Sequence, residues 1–93
     1  MPVMVRIPSY LAGFAEGRSA IVVGGTPPNT RAVLEELWNL HPALRDRVVD
    51  EQGELRQHIN IFVGNESIRF AGGLATPVSD GAEIMIVPAV SGG

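Results

Sequence analysis

Apolar and polar positions alternate at the start of the chain, with Val3, Val5 and Ile7 set against Met4 and Arg6. A period of two predicts a strand with one buried face, and Pro8 closes it. Residues 9–18 carry Gly13 and Gly17 and read as a loop. Residues 19–23 read as a second strand, broken by Gly24-Gly25 and Pro27-Pro28. A hairpin joining the two strands fits, although its connection is long for a tight turn. The spacing then changes. Val33, Leu34, Leu37 and Leu40 fall at helical intervals, with Glu35, Glu36 and Asn39 turned outward. Asn29 or Thr30 supplies the N-cap oxygen, and the two glutamates are expected toward the helix start, where the macrodipole favours negative charge. Pro42 ends this helix and suits the first position of a short second one over residues 43–48. Residues 50–57 are polar, contain Gly53 and read as a loop.

The last third is strand-rich. In residues 58–63, Ile59, Ile61 and Val63 share one face, and His58, Asn60 and Phe62 share the other. Gly64-Asn65 marks a turn, and residues 67–70 read as a short strand after it. Gly72-Gly73 and Asp80-Gly81 punctuate further turns. Residues 83–87 form the final strand; the apolar stretch Ile84-Met85-Ile86-Val87 predicts a central strand covered on both faces, stopped by Pro88. One main helix over a mixed sheet of four or five strands is an α+β pattern. Its 93 residues suffice for one modest core, hence a single domain over 1–93 with a flexible tail at 88–93.

Composition matters mostly through what is missing. The chain has no cysteine and no lysine, and all seven basic residues are arginine. Thiol nucleophiles, disulfides, thiolate metal sites and Schiff-base chemistry are thereby excluded. The longest aliphatic stretches are four residues, far short of the roughly 20 that a membrane-spanning helix needs. No secretory signal is visible, so cytoplasmic residence is expected. A net charge of −3 gives no basic footprint for nucleic acid. His41 and His58 stand apart in sequence, which leaves no metal-ligand spacing, and no nucleophile-elbow sequence surrounds any serine. Gly24-Gly25 and Gly72-Gly73 lack the spacing and the lysine of a phosphate loop. No self-contained active site and no bound cofactor or metal is expected.

What remains is the ending, Pro88-Ala89-Val90-Ser91-Gly92-Gly93. Five residues beyond Pro88 extend roughly 17 Å at about 3.3–3.6 Å each, enough to enter another enzyme's nucleotide site. Glycines at the tip have no Cβ and fit a narrow channel. An α-carboxylate is ionised at neutral pH and can attack the α-phosphate of ATP. Physics alone leaves two readings open at this point: a carboxylate used as a substrate, or a frayed end.

The residues themselves carry a resemblance. The strand with Asn60, the turn at Asp80-Gly81, the strand at 83–87 and the Val-Pro-Ala-Val-Ser-Gly-Gly ending resemble the MoaD/ThiS family of ubiquitin-like sulfur carriers. Arg69-Phe70-Ala71-Gly72-Gly73-Leu74-Ala75-Thr76, followed by that ending, is most similar to the cysteine-synthesis carriers of the family. The resemblance implies a β-grasp (ubiquitin-like) fold, with first and last strands side by side in the sheet centre. It implies a carrier rather than an enzyme. An E1-like adenylating enzyme using ATP and Mg would activate the Gly93 carboxylate, which then becomes a thiocarboxylate. Gly92 grants access to the partner's site. The sulfur acceptor would be a pyridoxal-phosphate cysteine synthase or, in the molybdopterin branch, the molybdopterin synthase large subunit. A modifier forming isopeptide bonds is a further alternative. Two departures stand out: Ala82 where many members have an acidic residue, and Pro88-Ala89 where molybdopterin relatives often have Pro-Pro. For partner binding, the open sheet face and tail base are the natural surface, and Phe62, Phe70, Pro88 and Val90 are the candidate contacts.

Overall fold

The computed structural model describes residues 2–25 and 27–88. Of the expected flexible tail at 88–93, Pro88 is instead the last residue of the final strand, and the rest, with Val90, Gly92 and Gly93, lies outside the described residues. The chain runs through β1 (Val3–Arg6), α1 (Ser9–Ala12), β2 (Ala20–Val23), α2 (Thr30–Leu40), α3 (Arg45–Val48), β3 (Ile59–Val63), β4 (Glu66–Ser67) and β5 (Glu83–Pro88). The strands form one five-stranded sheet in the order β2-β1-β5-β3-β4. β1 and β2 make the expected antiparallel hairpin, Val3 opposite Val23. β1 and β5 lie side by side and parallel in the centre, with Val5 opposite Ile84. β5 runs antiparallel to β3, from Val63 opposite Ile84 to Ile59 opposite Pro88. This is the β-grasp arrangement.

Strand periodicity decides where the core sits. Val3, Val5, Ile7, Ile21, Val23, Ile59, Ile61, Ile84 and Ile86 are all buried on one face of the sheet. Val33, Leu34 and Leu37 of α2 are buried in the same cluster, as are Leu44 and Val48 beside the short helix. Asn29 caps α2, its side chain accepting from the Ala32 N–H at 2.9 Å. Thr30 takes another role: it is fully buried, and its hydroxyl donates to the Thr76 carbonyl at 3.0 Å. α2 is thereby tied to the long connection between β4 and β5. Gly64, with φ 61°, makes the turn between β3 and β4 in a conformation that suits glycine.

Several expectations need correction. Residues 9–18 are not a loop: α1 and a 3-10 turn over Gly13–Ala15 occupy them and bury Leu11 and Ala15. Their four-residue spacing is helical, but the segment is too short for the period to stand out between two glycines. Residues 67–70 are not a strand. β4 stops at Ser67, and Ile68–Phe70 form a 3-10 turn. A strand would put Ile68 and Phe70 on one face; the turn rotates them apart, so Ile68 is buried and Phe70 is 90% exposed. Glu35 and Glu36 sit mid-helix, since α2 begins at Thr30, and the macrodipole effect is confined to the first turn. On the same helix, Leu40 projects into solvent instead of joining the apolar row.

A further correction concerns β5. It is central, but only one of its faces is covered. Ile84 and Ile86 are buried, whereas Met85 between them is 40% exposed. The helices all pack on the other side, so the alternating residues Glu83, Met85 and Val87 look outward. That open face bears on the site.

Candidate functional site

The site is the end of the sheet from which the chain leaves β5. Pro88, its last residue, is exposed and lies opposite Ile59 at the start of β3. On the β1 side the described pairing with β5 reaches only to Met85, opposite Arg6. Val87 and Pro88 are therefore in register with β3 alone. Strand β3 is fastened at that point by Arg69, whose guanidinium donates to the carbonyls of Arg56, Gln57 and Ile59. One arginine thus collects three main-chain acceptors around the place where Pro88 emerges.

Arg69 also locates Phe70. The Ile68–Phe70 turn is tied to the start of β3 through the Arg69 side chain, and Phe70 follows directly after that anchor. A phenyl ring that is nine-tenths exposed contributes almost nothing to the core. Phe62 differs: it is half-buried on the open face, opposite Met85 on one side and Ser67 on the other. Val87 is half-buried on the same face, opposite Asn60. Asn60 is held in place by Ser67, its side-chain amide donating to the serine hydroxyl at 3.0 Å. Phe62, Met85 and Val87 thus make an apolar strip across β3 and β5 that leads to Pro88. At the strip's other end, Arg6 and Glu83 pair at 2.8 Å, both about half exposed.

Of the sequence-predicted contacts, then, Phe62 lies on the open face opposite Met85, Pro88 ends β5 opposite Ile59, and Phe70 is exposed on the turn that Arg69 ties to the start of β3. Val90, Gly92 and Gly93 lie outside the described residues. Met85 was missed. The signal existed in the alternation of β5, where Glu83 marks the outward face, but the surrounding apolar residues hid it.

The arrangement has little to offer as a reaction centre of its own. Among the described residues no group of His, Cys, Asp and Glu is placed to hold a metal ion, and no helix is long and apolar enough to cross a membrane. Asp50, the best-connected carboxylate of the loop before β3, accepts from the Gln52 and Glu54 N–H groups and so shapes its own turn. What the site does supply is a rigid, partly apolar platform beside an emerging strand.

The family model described as the ThiS family matches residues 5–93. The sulfur carrier protein CysO of Mycobacterium tuberculosis is 36% identical over 95 residues, covering all of both chains. Among solved structures, a chain of the Amycolatopsis orientalis BexX/CysO complex superposes with a TM-score of 0.86 at 33% identity, covering 98% of this chain and 99% of that one. SAMP1 from Haloferax volcanii superposes with a TM-score of 0.81 at 30% identity over the whole of both chains.

Proposed function

This chain belongs to the ThiS family, and on that footing we propose that it is a sulfur carrier whose Gly93 carboxylate is the loaded group. The carboxylate oxygen attacks the α-phosphate of ATP in the partner's site, releasing pyrophosphate and forming an acyl-adenylate. A sulfide equivalent then displaces AMP, leaving a thiocarboxylate at Gly93. ATP and Mg belong to the adenylating partner; the chain contributes the carboxylate and its presentation. Gly92, lacking a Cβ, passes through a channel that larger residues would block.

The observation that carries this reading is the full-length likeness to CysO, at 36% identity with both chains covered. The position of β5 supports it. A central strand hydrogen-bonded into a sheet is a stiff base, and the five residues after Pro88 set the reach. The same likeness favours cysteine synthesis as the destination. There the thiocarboxylate sulfur adds to an aminoacrylate on a pyridoxal-phosphate synthase, the resulting thioester shifts to an amide, and hydrolysis frees cysteine. The sequence Pro88-Ala89, without the Pro-Pro pair, is in keeping with that choice over the molybdopterin synthase large subunit.

Partner contact is assigned to the strip of Phe62, Met85 and Val87, with Pro88 and Val90 at the tail base and Phe70 beside it. Apolar side chains on an otherwise open sheet face are the usual core of such an interface. The likeness to SAMP1, at a TM-score of 0.81, favours one second reading: isopeptide attachment to other proteins.

Intact mass after co-expression with the adenylating enzyme and a sulfur source tests the carrier. The expected product carries one oxygen replaced by sulfur, and deletion of Gly93 abolishes it while the domain stays folded. Loading of the truncated chain, or no loaded species with an active partner, overturns the assignment. Gly-Gly remnants on lysines of other proteins would instead support the modifier.

A further inference from the structure

A second feature lies at the tail end of the sheet, on the side away from the open face. Between the first helical segment and α3 there is a cleft of about 390 Å³. Tyr10 and Phe14 line it from one side, Asp46 and Arg47 from α3, and Arg56 and His58 from the segment leading into β3. His58 directly precedes Ile59, the register partner of Pro88. The cleft therefore opens where the chain leaves β5.

Its charge is the opposite of the whole chain's. The formal net charge is −3, yet the cleft holds two arginines, a histidine and one acid. That acid is already matched: the Asp46 carboxylate pairs with Arg45 at 3.1 Å. Neither Arg47 nor Arg56 has a carboxylate partner among the described residues. Both are nonetheless held in place by uncharged groups. The Arg47 guanidinium stacks 4.5 Å over the Phe14 ring. The Arg56 Nε donates to the main-chain carbonyl of Asp46 at 2.8 Å. Fixing a cation without neutralising it leaves its charge and free N–H groups directed at whatever enters.

We propose that this cleft receives an Asp- or Glu-bearing segment of the adenylating partner, docking beside the tail it must take up. The inference rests on the carrier reading, because that partner is the protein obliged to approach this end of the sheet. Paired guanidiniums match carboxylates through forked hydrogen bonds, and Tyr10 and Phe14 give the flanking residues an aromatic wall. An acidic carrier gains most from such a patch. It reverses the long-range repulsion of an acidic partner at the one end where docking is productive and steers the tail toward it. The small volume suits a few side chains rather than a nucleic-acid groove.

Two measurements test the cleft, both on the full chain. First, a capped Glu-rich peptide is titrated into the isotope-labelled protein, followed by amide chemical shifts. The expected perturbations cluster at Tyr10, Phe14, Arg47, Arg56 and His58 and vanish in the double variant Arg47→Glu/Arg56→Glu. Perturbations elsewhere, or their persistence in that variant, overturn the proposal. Second, the carrier's KM in partner-dependent ATP–pyrophosphate exchange should rise about tenfold in the double variant with kcat unchanged, and its salt dependence should flatten. Arg47→Ala alone, which leaves the Arg56 contact intact, should give a smaller rise, and Arg31→Glu on α2 none. An unchanged KM in a variant with native circular dichroism overturns the proposal and leaves the carrier reading standing. If the wild-type chain is not adenylated at all, the carrier reading fails, and the peptide titration still decides the cleft.

Discussion

Phe70 offers a prediction in which folding and binding separate by arithmetic. Burying a phenylalanine side chain fully is worth about 1.5–3 kcal/mol. Nine-tenths of Phe70 is still exposed in the isolated chain. The folded core has therefore taken only about a tenth of that value, roughly 0.2–0.3 kcal/mol. A partner that buries the ring gains the remaining nine-tenths, about 1.4–2.7 kcal/mol. At about 1.4 kcal/mol per tenfold, Phe70→Ala should weaken partner engagement about ten- to ninety-fold. The cost of association itself is common to both chains and cancels.

The assay is the KM of carrier in partner-dependent ATP–pyrophosphate exchange, measured alongside thermal unfolding. The melting temperature should move by only about 1–2 °C, since about 1 kcal/mol corresponds to roughly 4–8 °C in a domain of this size. Phe70→Leu should recover part of the loss. A KM within twofold of wild type would refute the reasoning, because the ring would then remain in water in the complex. A fall of many degrees in melting temperature would refute it differently, by showing a packing role that the exposed ring does not reveal. Phe62→Ala, at a half-buried position, should raise KM and lower the melting temperature together.

Three further substitutions probe the frame around the site. Asn29→Ala removes the side-chain acceptor of the Ala32 N–H and should cost about 1 kcal/mol in chemical unfolding, with Asn29→Ser restoring most of it. Thr76→Val deletes a hydroxyl that donates to the Gly73 carbonyl at 2.7 Å and accepts from the Gly72 N–H at 3.0 Å. Gly72 is exposed and the Gly73 carbonyl keeps the Thr76 N–H, so the loss should cost about 0.5–1.5 kcal/mol in urea unfolding, whereas Thr76→Ser should be near neutral. Arg6→Ala breaks a half-exposed ion pair and should cost less than about 1 kcal/mol, the difference shrinking further in about 1 M salt.

How far the sequence reveals this structure depends on how local each signal is. The buried faces of β1, β3 and α2 follow from periods of two and 3.6, and those elements stand where the pattern puts them. Asp80-Gly81 is a turn, with Gly81 at φ 76°, and the strand after it begins at Glu83. The misses have a common cause. Whether Met85 meets a helix or solvent depends on which face of the sheet the helices cover, and within residues 83–87 only Glu83 hints at it, against four apolar neighbours. Ile68 and Phe70 look equivalent in sequence; only the pinning of that turn by Arg69 separates them. Arg47, Arg56 and His58 read as scattered surface charges, and folding alone gathers them around one cleft. The family resemblance supplied the fold, but no residue pattern announced what surrounds the end of β5.

Those surroundings explain why the last strand is central. A carboxylate presented to another protein's site needs a base that does not yield when the tail is drawn in. An edge strand would be held by a single ladder and could peel away residue by residue. β5 is held by both β1 and β3 at Ile84 and Met85, and by β3 alone over residues 86–88. A pull on the chain therefore meets one ladder first and two ladders within three residues. The single-ladder stretch is the one that Arg69 reinforces from the far side, through the carbonyl of Ile59, the residue opposite Pro88. Reach and firmness are thus set by different parts of the sequence. The residues beyond Pro88 determine how far the carboxylate travels, and the register of β5 with its two neighbours determines where that travel begins. On the proposed reading, a partner that takes up the tail meets the strip and the cationic cleft as fixed landmarks on either side of that point.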